Sequence, residues 1–134
     1  MKKILKRINF FFNKRRGIFY RKFKDQWYDY HQSNLRGSEE EIKERQKIYL
    51  PYIKSLSKKI LGKSFLEIGF GRGEFLELLK QSKIQNIEGV DNNLLFFNQA
   101  KKKGFDVKYS DALEYLYLTS KTFKGISAFH FIEH

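Results

Sequence analysis

The segment at residues 65–73, Phe-Leu-Glu-Ile-Gly-Phe-Gly-Arg-Gly, constrains the fold of this chain more than any other feature. A short apolar run carries one acid, Glu67, and ends in three glycines at alternate positions, Gly69, Gly71 and Gly73. Glycine lets the backbone approach a ligand closely, and the helical pattern that follows would present its N-terminal N–H groups there. The segment therefore predicts a nucleotide-type cofactor site at the first strand of an α/β sheet.

Strand and helix patterns alternate from this segment onward. The predicted strands span residues 64–69, 86–91, 105–110 and 125–132, and the predicted helices span residues 73–81, 93–102 and 112–118. Such alternation with short links is typical of a parallel sheet with right-handed crossovers.

Two helices are predicted ahead of the sheet. Ser38 is a suitable N-cap and Glu41 occupies its capping-box position, so one helix begins there and should stop near Pro51. Residues 52–61 predict the other helix. Three apolar side chains of the first helix are expected to face inward, namely Ile42, Ile48 and Tyr49.

The positive charge is concentrated at the N-terminus. Of the 27 Lys and Arg residues, 10 lie in residues 1–24, which contain no acid; the other 17 face 15 acidic residues, so residues 25–134 carry only +2 of the net +12. This basic, aromatic leader could contact an anionic membrane surface, a phosphate-rich glycan or nucleic acid, or pack on a partner. Membrane or partner contact is the favoured interpretation, although no apolar run approaches the roughly 20 residues of a membrane-spanning helix.

Acids also follow the second and third predicted strands. Asp91 ends the second strand, 18 residues after Gly73, where nucleotide-binding α/β folds place an acid that accepts the ribose hydroxyls. Asp111 follows the third strand and could accept a hydrogen bond from an adenine amino group, with the backbone of Ala112 beside the ring.

The residues favour a cationic nucleoside over a dinucleotide. The last glycine of a dinucleotide fingerprint is replaced by Glu74, whose carboxylate would face the pyrophosphate with the wrong sign of charge. S-adenosylmethionine carries an ammonium group and no phosphate, and Glu67 can attract that group. The chain contains no cysteine, and the motifs predict no metal.

Four segments together resemble the class I S-adenosylmethionine-dependent methyltransferases. Residues 65–79 resemble motif I, residues 88–92 motif II, residues 109–116 motif III and residues 126–134 the fourth-strand motif. The resemblance covers about residues 27–134 and implies a Rossmann-like α/β sheet, preceded by N-terminal helices. It implies cofactor contacts at Glu67, Gly69, Phe70, Gly71, Gly73, Asp91, Asn92, Asp111 and Ala112.

Only part of that fold is predicted from the sequence. The class has seven strands, whereas four are predicted here, in the order 3-2-1-4, so the chain is interpreted as truncated after the fourth strand. That strand would be an exposed apolar edge. The predicted division is a leader at residues 1–24, N-terminal helices at residues 25–62 and a partial cofactor-binding methyltransferase domain at residues 63–134.

Within the class, the sequence is similar to a bacterial group associated with surface-glycan and lipopolysaccharide assembly. The similarity lies in residues 36–46, 71–76, 111–116 and 128–134. It implies O-methylation of a surface polysaccharide or its lipid-linked precursor in the cytoplasm, at the inner face of the membrane. His130, at the end of strand four, is the candidate general base, with lining the pocket or hydrogen bonding to a loop as its alternative role. An RNA or protein methyltransferase, or an incomplete fragment that acts as a binding module, are the rival interpretations.

Overall fold

The computed structural model describes residues 22–27, 29–31 and 34–129 of the chain. Residues 22–27, 29–31 and 34–35 are helical. Helix α1 spans Glu39–Gln46 and leads through a 3₁₀ turn at Lys47–Tyr49 into α2, Leu50–Lys59. The remaining elements are β1 Ser64–Ile68, α3 Glu74–Gln81, β2 Ile87–Asp91, α4 Leu94–Lys102, β3 Val107–Tyr109, α5 Ala112–Leu118 and β4 Phe123–Ala128.

The four strands form one parallel sheet in the order β3-β2-β1-β4, which confirms the predicted α/β, Rossmann-like fold and its strand order. Glu67 of β1 pairs with Gly89 of β2, and Asp91 at the end of β2 pairs with Tyr109 of β3. Because the strands are parallel, their carboxyl ends share one edge of the sheet. The predicted acidic residues therefore lie along that edge.

Helices cover both faces of the sheet. On one face, Phe65 packs in a buried cluster with Ile53 of α2 and Phe75 of α3. On the other, Leu66 packs in a cluster with Ala112 of α5. Successive residues of a strand point to opposite faces, so β1 is apolar on both sides, as expected for a buried parallel strand.

The helices ahead of the sheet differ in part from the prediction. The hydroxyl oxygen of Ser38 accepts from the Glu41 N–H at 3.2 Å and the Glu41 carboxylate accepts from the Ser38 N–H at 2.9 Å, so the capping box is confirmed. Ile42 is buried, but Ile48 and Tyr49 are exposed, because the helical register breaks at the 3₁₀ turn. No helix in the described ranges combines the length and apolar character needed to cross a membrane.

The fourth strand begins and ends earlier than predicted. It was expected at residues 125–132, but β4 begins at Phe123, which pairs with Ser64, and ends at Ala128, which pairs with Ile68. Its length therefore follows that of β1, the strand beside it, and Phe129 lies in a turn. Residues 130–134 lie outside the described residues.

Candidate cofactor site

A tight bend of three glycines connects β1 to α3. Gly69, Gly71 and Gly73 have φ angles of +65°, +55° and +85°, in the left-handed region that only glycine adopts at low cost. The bend is fixed by the Gly69 N–H, which donates to the Val90 carbonyl at 2.8 Å, and by the Gly73 N–H, which donates to the Phe70 carbonyl at 2.9 Å. Backbone atoms thus line the carboxyl end of β1.

Glu67 lies beneath this bend with its side chain enclosed. The residue is 3% exposed, and its Oε2 accepts no hydrogen bond from the described part of the chain. Burial, followed by the negative charges of Glu74 and Asp91, raises the pKa of Glu67 well above its ordinary value. A buried acceptor without a donor costs about 1–3 kcal/mol, so this carboxyl group favours a ligand that supplies a donor or a positive charge.

Asp91 joins the glycine bend to the start of α4. Its Oδ2 accepts from the Gly71 N–H at 2.9 Å, and its Oδ1 accepts from the Asn93 N–H at 2.8 Å. Burial raises the pKa of Asp91, and the hydrogen bonds from Gly71, Asn93 and Asn92 oppose that shift. A carboxylate offers about four lone-pair positions, so these three backbone bonds leave capacity for a further donor.

Asp111 caps helix α5 just beyond β3. Its Oδ1 accepts from the N–H groups of Leu113 at 2.9 Å and Glu114 at 3.1 Å. The residue is exposed, and within the described residues its Oδ2 makes no hydrogen bond. Ala112 is buried at the first position of α5. Asp111 therefore has a structural role as a cap and still presents one carboxylate oxygen.

Phe70 differs from the other predicted site residues because its side chain belongs to the core. It is buried in a cluster with Leu76, Phe96 and Val107. A Cβ added at Gly89 would come within 2.8 Å of the Phe70 ring, so the glycine leaves room for this packing. Phe70 can therefore meet a ligand in the bend only through its backbone.

Arg72 was not among the predicted site residues, yet it connects the bend to the turn before helix α1. Its guanidinium contacts Glu74 Oε1 at 2.7 Å, and its Nη2 donates to the Gly37 carbonyl at 3.0 Å. The side chains of Arg72 and Glu74 are only 9% and 2% exposed. No local pattern predicts a contact across 35 residues, so the sequence does not indicate the contact between Arg72 and Gly37.

Asp25 and Arg36 bring the N-terminal segment to the same edge. The Asp25 carboxylate accepts from the Leu94 N–H at 3.3 Å, at the start of α4, and its negative charge contributes to the raised pKa of Asp91. The positive charge of Arg36 acts in the opposite sense on the pKa of Glu67. The helical residues around Asp25 thus border the site beside Asp91.

Some predicted features fall outside the described residues. His130, the candidate base, is one of them, and residues 1–21, which form most of the basic leader, are another. Asn92 is described and exposed, whereas its neighbour Asn93 is buried and caps α4 through hydrogen bonds from Leu95 and Phe96.

Known proteins place this chain among methyltransferase domains. A family model described as a methyltransferase domain matches residues 41–134, which is most of the chain, and the chain belongs to that family. The solved structure of a SAM dependent methyltransferase from Archaeoglobus fulgidus matches with 41% sequence identity and a TM-score of 0.58. The match covers 68% of this chain but 38% of that protein, so the chain spans well under half of its length. No curated protein sequence matches the chain significantly.

Proposed function

We propose that this chain binds S-adenosylmethionine at the carboxyl edge of the sheet and contributes the donor side of a methyltransferase. The observation that carries the proposal is the enclosed Glu67 Oε2, which lacks a donor within the described residues. This acceptor lies below a backbone bend in a methyltransferase domain. An α-ammonium group would supply the missing donor and add a positive charge beside the carboxyl group.

The other described residues fit the remaining parts of the ligand. Asp91 would accept from the ribose hydroxyls through the lone-pair capacity that its backbone hydrogen bonds leave unused. The Oδ2 of Asp111 would accept from the adenine amino group, beside the backbone of Ala112. The remaining contacts would come from backbone atoms at Gly69, Phe70, Gly71, Gly73 and Asn92.

When bound, S-adenosylmethionine supplies an activated methyl group on a sulfonium centre. The protein's main task is then to hold the acceptor in line with that group. A hydroxyl acceptor must also lose its proton, and a general base with a pKa near the working pH makes this loss easier. His130 is the residue we propose for that role, on the strength of the family resemblance.

The proposed acceptor is a hydroxyl of a surface polysaccharide or of its lipid-linked precursor, with residues 1–24 contacting the membrane. Transfer of a radiolabelled methyl group to lipid-linked oligosaccharide, RNA or protein would discriminate among the acceptor classes. We expect label in the oligosaccharide and a loss of transfer in a His130→Ala variant that still binds the cofactor. Label in RNA or protein instead would overturn the acceptor assignment.

The cofactor assignment is tested by calorimetric titration of the chain. We expect S-adenosylmethionine and S-adenosylhomocysteine to bind and NAD⁺ not to bind, because Glu74 replaces the last glycine of the dinucleotide fingerprint. NAD⁺ binding with an equal affinity would contradict the proposal. Absence of binding by all three ligands would favour the binding-module interpretation instead.

A further inference from the structure

A recess lies at the amino ends of the strands, whereas the proposed cofactor site lies at their carboxyl ends. It has a volume of about 480 Å³ and is formed by the end of α2, the turn after α3 and the start of β4. Its polar lining includes Lys54, Ser57, Lys58, Ser82, Lys83 and Lys124. These segments precede the strands, so the recess lies at their amino ends and away from the glycine bend.

The recess concentrates positive charge that is not neutralised nearby. Four lysines line it and no Asp or Glu does. Among the described residues, none of these four lysines has a carboxylate within ion-pair distance, whereas five lysines elsewhere each have at least one, namely Lys43, Lys47, Lys103, Lys108 and Lys121. Low-dielectric walls around charges of one sign raise the local concentration of counter-ions, so an anion is the expected occupant.

Two donors inside the recess have capacity for a ligand. Lys124 is 9% exposed and its Nζ donates to the Gln85 carbonyl at 3.2 Å, which uses one of the three donors of an ammonium group. The hydroxyl oxygen of Ser57 is buried and has no hydrogen-bond partner in the described part of the chain. Buried polar atoms are seldom left without partners, so this hydroxyl has hydrogen-bonding capacity for a group bound in the recess.

Lys83 occupies a backbone position that usually belongs to glycine. Its φ is +58°, and α3 ends there with the Lys83 N–H donating to the Lys80 carbonyl and the Ile84 N–H to the Leu79 carbonyl, each at 3.0 Å. Helix α4 ends with the same pair of bonds, but with Gly104 at φ +77°. Glycine would serve the end of α3 at lower cost, so the helix end does not explain the lysine.

We propose that this recess binds a phosphoryl group, presented either by a phospholipid headgroup or by a soluble phosphorylated metabolite. The ammonium groups of Lys54, Lys58 and Lys83 would surround the phosphoryl oxygens at the rim. Lys124 and the Ser57 hydroxyl would donate from the interior. The site is remote from the proposed methyl donor, so it would dock or anchor a ligand and take no part in methyl transfer.

Lys83→Gly gives a sharp test, because it removes the charge while relieving the backbone. The full chain is titrated with inorganic pyrophosphate by calorimetry, and backbone amide shifts are followed by NMR. We expect shifts at Ser57 and at residues 82–86, and an affinity about tenfold weaker in the variant, the loss expected for one charge-assisted hydrogen bond. Its resistance to urea should equal or exceed that of the parent chain.

Lys102→Gln is the matched control, since it removes an exposed lysine of α4 outside the recess. Its affinity for pyrophosphate should stay within about twofold of the parent value if the recess is the site. Equal losses in Lys83→Gly and Lys102→Gln, or no loss in either, would overturn the proposal. So would the absence of shifts at Ser57.

The source of the phosphoryl group is decided with phosphatidylcholine vesicles that contain or lack phosphatidylglycerol. The basic leader is the same in the parent chain and in Lys83→Gly, so its contribution cancels when their binding to the vesicles is compared. Weaker binding of Lys83→Gly to the anionic vesicles, together with weaker pyrophosphate binding, assigns the site to a lipid headgroup. A loss for pyrophosphate alone assigns it to a soluble phosphorylated ligand, and no dependence on Lys83 in either experiment overturns both.

Discussion

At the scale of single residues, two buried glutamates on neighbouring strands differ in how their carboxylates are satisfied. Glu88 of β2 is 2% exposed and accepts from the Tyr115 hydroxyl and, at 2.5 Å, from Lys121 Nζ. Glu67 of β1 is equally enclosed, but its Oε2 has no donor in the described residues. The two carboxylates are equally buried but differ in hydrogen bonding. Glu88 therefore has a structural role, whereas Glu67 is suited to a ligand.

Glu67→Gln should therefore stabilise the ligand-free chain, by about 1–3 kcal/mol near neutral pH, because it removes the penalty on a buried charge. Glu88→Gln makes the same replacement of a carboxylate by an amide. It should destabilise the chain by about 1–3 kcal/mol, because it weakens two satisfied hydrogen bonds. Urea unfolding of both variants checks the pair. Destabilisation by Glu67→Gln would show that its carboxylate is already satisfied.

The pH dependence of stability follows from the same residue. The raised pKa means that Glu67 holds its proton more strongly in the folded chain than in the unfolded chain, from about pH 4.3, the ordinary pKa of glutamate, up to its folded pKa. The contribution of Glu67 to the unfolding free energy should thus be largest below that pH and be lost as pH rises through its folded pKa. The Glu67→Gln variant should show a flatter profile in urea titrations from acid to neutral pH, and an unchanged slope would contradict the assignment.

Asp91 holds the glycine bend and the start of α4 through hydrogen bonds, and it is also the proposed acceptor for the ribose hydroxyls. Asp91→Asn keeps an acceptor for Asn93 but places an amide NH₂ or a weaker acceptor near Gly71, so we expect about tenfold weaker cofactor binding and a modest loss of stability. Asp106→Asn is the control, because Asp106 is an exposed acid paired with Lys108. Calorimetry with both variants tests the claim, and equal cofactor affinities would remove Asp91 from the site.

At the scale of elements, the site is formed where the N-terminal helices meet the bend between β1 and α3. Arg72 joins the turn before α1 to Glu74 at the start of α3, and Lys43 of α1 contacts Glu77 of α3 at 2.9 Å. The first pair is nearly inaccessible, whereas the second is partly exposed. Ion pairs of these two kinds have different energetic consequences.

Arg72→Met should destabilise the chain by about 3–5 kcal/mol, because it leaves the buried Glu74 carboxylate without its cation. Adding Glu74→Gln should recover a large part of that loss. Lys43→Met, which breaks the more exposed pair, should cost about 0–1 kcal/mol. Urea unfolding of these three variants and of Glu74→Gln alone measures these values, and additive losses in the Arg72→Met and Glu74→Gln double variant would show that the two residues are not coupled.

Local signals account for the elements that the sequence predicted correctly. The capping box joins Ser38 to Glu41, three residues away, and the glycine bend requires positive φ at positions that are already glycine. The prediction that Ile48 faces inward was wrong, because the helical periodicity does not continue through the 3₁₀ turn. A break in register of this kind depends on how α2 packs, which no local pattern contains.

At the scale of the whole molecule, the strand order was predictable, whereas the rim of the site was not. Parallel strands joined by short helices restrict the possible orders, and 3-2-1-4 is the one observed. The contacts of Asp25 with α4 and of Arg72 with Gly37 join residues 69 and 35 positions apart. Such contacts arise only when the tertiary structure forms. The division of the chain into a leader, N-terminal helices and a cofactor-binding domain at residues 24 and 62 stays a prediction.

The two proposed sites lie at opposite edges of one sheet. The acids and the glycine bend lie at the carboxyl ends of the strands, and the lysine recess lies at their amino ends. An edge with Glu67 and Asp91 favours a cationic ligand, whereas an edge with four lysines favours an anionic one. The two proposals therefore make opposite predictions for ligand charge and can fail independently.

The central claim is that Glu67 recognises the ammonium group of S-adenosylmethionine. The direct test is calorimetry of S-adenosylmethionine and 5′-methylthioadenosine, which lacks that group, against the parent chain and Glu67→Gln. We predict that the substitution weakens S-adenosylmethionine binding by about tenfold or more and leaves 5′-methylthioadenosine within about twofold. Equal losses for both ligands, or an unchanged affinity for S-adenosylmethionine, would contradict the account.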